Sequence, residues 1–135
     1  MDNKLTAIIE SAEKNYSAYL EGLDGIVATG NTLDAIKNNL LDAIKEFIDS
    51  CNIADIPVPE ELKGDFSIEF KMDVKSLLNV YSGIFTKAGM ERLTGINQKQ
   101  LWHYAKGRSV PRRSQVKKIE DAIHRLGREL QSVYL

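Results

Sequence analysis

Apolar and polar residues along this chain follow two periods, and the period changes near residue 73. Before that point the short runs Leu5-Thr6-Ala7-Ile8-Ile9 and Tyr16-Ser17-Ala18-Tyr19-Leu20 are rich in β-branched and aromatic residues, which favours strands. The polar stretch Glu13-Lys14-Asn15 predicts a turn between them, and Gly22 and Gly25 bracket a second turn. Ile26-Val27-Ala28-Thr29 then predicts a third strand, ended by Gly30 and Asn31. Asn31 or Thr32 caps a helix whose apolar positions Leu33, Ile36, Leu40, Ala43, Phe47 and Cys51 advance by three and four. Asp55-Ile56-Pro57-Val58-Pro59 cannot continue that helix, because proline lacks the amide hydrogen and clashes with the preceding turn. After it Phe66, Ile68, Phe70 and Met72 alternate with polar residues, the pattern of a half-buried strand. The first part therefore reads as β-β-β-α-β.

After Met72 the spacing is helical. Val74, Leu77, Leu78 and Tyr81 form one stripe, Thr86 caps a short helix through Leu93, and Thr94-Gly95 turns the chain. Asn97 caps a further helix to about Lys106, which Gly107 ends. A last helix from about Ser114 places Val116, Ile119, Ile123, Leu126 and Leu130 on one face, long enough to tie the bundle together. The fold expected is α+β, with an α/β domain over residues 1–72 followed by an all-helical domain over 73–135.

Composition adds little until it is divided. A chain of 135 residues, 43% hydrophobic and 27% charged, has the make-up of a globular protein of one ordinary domain or two small ones. Domains this small bury a modest fraction of their surface, so oligomerisation, as a dimer or tetramer, is expected. No apolar run nears the roughly 18 residues of a spanning helix. Met1-Asp2-Asn3-Lys4 leads straight into a strand-like run without a signal-peptide core, which points to the cytoplasm and to no membrane partner. Cys51 is the only cysteine, which excludes an intrachain disulfide and makes a zinc site with the two distant histidines untenable. It reads as a small buried residue at a helix end. The formal net charge of −1 conceals a segregation of signs. Residues 1–70 hold five lysines against fourteen acidic residues, a net −9, whereas residues 71–135 hold thirteen basic against five acidic, a net +8. Such asymmetry suggests that the second half meets a polyanion and the first a basic partner or water, although two solvated faces that merely differ would look the same.

Two helices joined by a short turn with glycine form the unit whose second helix enters the major groove of DNA. The stretch from Met90 to Pro111 resembles the phage-repressor-type (XRE-like) helix-turn-helix family. Gly95 stands at the turn, Ile96 and Leu101 at the buried contacts, and Gly107 to Pro111 at the glycine-basic-proline exit. Glu91 departs from the small alanine usual there, and Leu93 stands one place earlier than the usual apolar residue. Outward residues of the second helix are Gln98, Lys99, Gln100, His103 and Lys106, types that pair with base edges or phosphate. An ordinary polar helix face would carry the same residues, and the charge of the half favours DNA. Arg108, Arg112 and Arg113 follow in a loop, where arginine clamps phosphates. The capping residues Thr86 and Asn97 complete the DNA-binding set. At helical spacing Trp102 and Tyr104 read as packing residues.

The first part has its own likeness. Ile8-Ile9-Glu10, Tyr16-Ser17-Ala18-Tyr19, Leu23-Asp24-Gly25, Ala28-Thr29-Gly30-Asn31-Thr32, Asn39 and Ala43 resemble the N-terminal module of HicB-type antitoxins over about residues 4–72, with Ala35 and Ile36 where a Glu-Ala pair is usual. The resemblance implies a partial RNase H-like fold without nuclease activity, which binds and blocks a small basic mRNA-cleaving toxin of the HicA type. It further implies that the whole protein represses its own operon through operator DNA. Catalysis by the chain itself is not expected. Glu10, Asp24, Asp34 and Asp42 do not converge as a magnesium site would require, and no Ser-His-Asp or Cys-His arrangement is legible. No cofactor is implied. His124 beside the last apolar stripe reads as structural. The rival reading is a stand-alone transcriptional regulator, ligand-responsive or merely dimeric.

Overall fold

The computed structural model describes residues 3–11 and 15–135, and it divides into two compact units, Met1–Asp73 and Val74–Leu135. The chain is α+β, with a four-stranded mixed sheet and, among the described residues, five helices. Most of the turn expected at Glu13-Lys14-Asn15 lies outside those residues.

The first unit runs through β1 (Asn3–Ser11), β2 (Tyr16–Leu20), β3 (Val27–Gly30), α1 (Leu33–Ile53), a 3-10 turn at Glu60–Leu62 and β4 (Phe66–Met72). The sheet order is β3-β2-β1-β4. Antiparallel pairs join β1 to β2 and β2 to β3, while β4 lies parallel to β1. A parallel neighbour cannot be reached by a tight turn, and α1 belongs to the crossover that reaches it. The register stacks Phe70, Ala7 and Leu20 across three strands on the same face as Ala18 and Ala28, and this face packs with α1. Ile36, Leu40 and Ile44 of α1 are almost wholly removed from solvent. Burial of each such side chain stabilises the unit by about 1.5–3 kcal/mol. Ile44, beside the expected Ala43, takes the deep position, while Ala43 and Phe47 are half-buried. Cys51 is buried near the end of α1.

Three residues of the segment between β3 and α1 have defined tasks. The Thr32 hydroxyl accepts the Ala35 amide at 3.0 Å and caps the helix. Asn39 donates its side-chain amide to the Thr29 carbonyl at 2.7 Å, tying the second turn of α1 back to β3. A Cβ on Gly30 would lie 2.9 Å from the Ile36 backbone nitrogen, so the strand and the helix approach as closely as only glycine allows. Ile26, expected in the third strand, precedes it and is 1% exposed. At the far end Asp55 takes a left-handed conformation, with φ of 57°, which stops the helix before the proline segment.

The second unit contains α2 (Val74–Val80), α3 (Lys87–Thr94), α4 (Gln98–Lys106) and α5 (Arg113–Gln131). Val74, Leu78, Met90, Ile96, Leu101, Tyr104, Ala105 and Ile119 form its core. Asn79 on α2 bridges two carbonyls, Lys75 and Ala105, each at 2.8 Å, and so fixes the C-terminal turn of α4. Arg125 of α5 donates to the Leu93 carbonyl at the end of α3. The apolar row of α5 changes character along its length: Ile119 is buried, Ile123 and Leu126 are half-buried, and Leu130 is 62% exposed. The row, expected to tie the bundle together, packs on the other helices through its middle part, while Val116 at its start is 37% exposed.

Candidate nucleic-acid interface

The geometry of α3 and α4 is set by four small devices. Thr86 accepts the Gly89 amide at 2.9 Å and starts α3. Gly95 ends it in a left-handed conformation, φ 78°, where a side chain would be strained. The hydroxyl of Thr94 donates to the Met90 carbonyl at 2.7 Å and accepts the Ile96 amide at 3.1 Å, locking the turn between the helices. Asn97 then accepts the Lys99 amide at 2.8 Å and starts α4. Glu91, at the position where the resembled family has alanine, is half-buried and accepts a hydrogen bond from Gln98 at 3.2 Å across the turn. The larger side chain thus braces α4 against α3.

Leu101, Tyr104 and Ala105 define the buried face of α4. The opposite face follows from the helical period. Lys99, Trp102 and Lys106, spaced by three and four, are exposed, and His103 beside them is half-buried. Tyr104 is therefore a core residue, as expected of an aromatic at that spacing, but Trp102 is not. It lies at the surface, 36% exposed, with the Arg108 guanidinium carbon 4.5 Å from its ring centroid. His103 meets the Trp102 ring edge-on, ring centroids 5.3 Å apart, with its own Nδ1 enclosed and without a hydrogen-bond partner among the described residues. An open concavity lined by Lys87, Gln98, Lys99 and Trp102 adjoins this stack.

The ten residues singled out from the sequence fall into three groups. The side-chain oxygens of Thr86 and Asn97 are engaged as caps. Gln98 and Gln100 bond to side chains, the latter to Ser109 at 2.9 Å, and His103 is half-enclosed. Lys99, Lys106, Arg108, Arg112 and Arg113 are exposed. Arg112 lies in the connecting segment as expected, whereas Arg113 is helical. Arg112 occupies the N-cap position of α5 and Arg113 is its first residue, so both cations stand at the positive end of the helix dipole. A negative ligand there would meet the helix field and both charges together. Lys87 and Trp102 are the members that reading by residue type missed. The signal for Trp102 was present, since it shares the spacing of Lys99 and Lys106 and not that of Leu101 and Tyr104.

Among the described residues no group of histidine, cysteine, aspartate and glutamate is placed to hold a metal ion, and no helix is long and apolar enough to cross a membrane. Comparison of the chain with protein-family models, with curated proteins and with solved structures finds no match.

Proposed function

We propose that the chain is a two-part regulator in which Val74–Leu135 binds DNA as a helix-turn-helix unit, with α4 as the groove-reading helix, and Met1–Asp73 binds a basic protein. More particularly, it acts as an antitoxin of the HicB type that neutralises a small HicA-like ribonuclease toxin and represses its own operon. The observation that carries the reading is that the segregated charge coincides with the two compact units. Moving Lys71 and Asp73 into the first unit leaves −9 and +8 unchanged, so each unit has one dominant sign. A surface of +8 attracts polyphosphate through counterion release, and −9 accelerates encounter with a cationic protein.

The first unit offers such a partner the sheet face opposite α1. Ile8, Tyr19 and Val27 stand side by side in register across β1, β2 and β3, with Val27 65% and Tyr19 39% exposed. Glu10 and Glu69 flank this apolar row on the same face, which also carries the exposed Lys4 and, directly beside Ile8, Lys71. An apolar centre with a charged rim suits a protein partner, the centre supplying affinity and the rim orientation, while the net −9 of the unit as a whole favours a basic one. The test uses the full chain. Isolated at native level from its source, it should co-purify with a small basic protein encoded beside it, and it should protect cells from that protein in a growth assay. Val27→Lys should abolish protection and leave DNA binding intact. Loss of both activities, or of neither, would remove the sheet face from the reading.

A further inference from the structure

The side chain of Arg108 returns towards the middle of α4. Gly107 ends the helix in a left-handed conformation, φ 74°, and from the next position the guanidinium lies over Trp102, six residues earlier. Arg108 was read from the sequence as a loop cation holding phosphate, a role that needs charge at the rim of the groove. The structure puts its guanidinium instead over Trp102, on the helix face that also carries the exposed Lys99 and Lys106. Stacking on an indole leaves the in-plane N–H groups of a guanidinium free, and it reduces the rotamer freedom lost when those groups bond. His103, edge-on to the same indole, holds the platform in place.

Resting on the DNA-binding reading above, we propose that Trp102 and Arg108 form a base-reading pair: the indole positions the guanidinium to donate two parallel hydrogen bonds to O6 and N7 of a guanine in the major groove. The chemistry of the guanine edge demands two donors at fixed separation, which arginine supplies and lysine does not. Trp102 acts as the positioning residue and the concavity beside it accommodates the neighbouring base edge. The pair thus deepens the role of α4 from general attraction to discrimination.

The test is selection from a pool of random-sequence duplex DNA by the full-length protein and by Arg108→Lys, Trp102→Ala and Trp102→Phe, with binding to the enriched duplex compared with random duplex. The wild-type chain should enrich a site containing an invariant guanine. Arg108→Lys and Trp102→Ala should each lose about tenfold or more in the ratio of enriched to random affinity, and lose it at that same guanine. Trp102→Phe, which keeps a ring face, should retain most of the preference. Because Trp102 is the sole tryptophan, its emission in the full chain should also change on binding the enriched duplex. Arg108→Lys, exposed and charge-conserving, remains informative even where Trp102→Ala lowers stability. Equal discrimination by Arg108→Lys and wild type would overturn the pair and return Arg108 to phosphate, leaving DNA binding itself untouched. A wild-type chain that enriches no sequence would overturn both readings.

Discussion

Asn97 separates a structural role from a reading role within α4. Its side-chain oxygen accepts the Lys99 amide at 2.8 Å, so it satisfies one of the amides that the first turn of a helix cannot bond internally. Replacement by alanine removes that acceptor at a cost of about 1 kcal/mol, within a range of roughly 0.5–2. For a domain of this size each kcal/mol moves the melting temperature by about 4–8 °C. Asn97→Asp keeps the acceptor and adds a negative charge where the helix dipole favours one, so its melting temperature should equal or exceed that of the wild type. Trp102 lies on the same helix and is the only tryptophan, so its emission on heating follows this unit. On DNA, Asn97→Asp should weaken binding to specific and random duplex by similar factors, because a carboxylate repels every phosphate. Unchanged melting of Asn97→Ala, or an equal loss in Asn97→Asp, would refute the capping role. A loss of discrimination confined to the specific duplex would make Asn97 a base contact instead.

Three other outcomes are expected. Gly30→Ala should destabilise the first unit by about 1–3 kcal/mol, since the new methyl would meet the Ile36 backbone at 2.9 Å and backbone cannot yield as a side-chain tip can; a wild-type midpoint in urea would refute that close approach. If the dimer expected of so small a DNA-binding unit forms through the exposed end of the α5 row, where Leu130 is 62% exposed, Leu130→Asp should weaken it; light scattering showing the same oligomer in both proteins would exclude this face. Arg112→Ala should weaken binding to specific and random duplex alike and flatten the slope of log affinity against log salt by nearly one unit, whereas Lys99→Ala should act chiefly on the specific site; identical effects of the two would end the proposed docking of α4.

How much was legible depended on whether a feature is local. The alternation of Phe66, Ile68, Phe70 and Met72 marks β4, and the caps Thr32, Thr86 and Asn97 mark the starts of α1, α3 and α4, because strand period and capping are properties of a few consecutive residues. The parallel pairing of β1 with β4 is not local. Fifty-four residues separate Ser11 from Phe66, and no periodicity states which strand a returning chain will join. Gly30 shows the same limit at smaller scale. In sequence it is a strand terminator, and only the approach of Ile36 reveals why nothing larger fits.

The candidate site divides on the same line. Which residues of α4 face outward was available from the spacing of Lys99, Trp102 and Lys106, and reading Trp102 by residue type overrode that spacing. Aromatics in helices are commonly packed, yet the prior belongs to the residue type whereas the phase belongs to the particular helix, and Leu101, Tyr104 and Ala105 had already claimed the buried phase. The place of Arg108 was of another kind. Its position in the chain lies beyond Gly107, outside the helix, and nothing in the sequence states that its side chain folds back over Trp102. A guanidinium at that site is attracted to the indole by an interaction of about 0.5–1 kcal/mol at an exposed position, less than the roughly 1.5–2 kcal/mol of rotamer entropy of a free arginine side chain. The stack is therefore weak enough to yield if a phosphate attracts Arg108 more strongly. That competition is the reason a charge-conserving substitution decides more than a deletion does: lysine can follow the phosphate, but it cannot replace the fork.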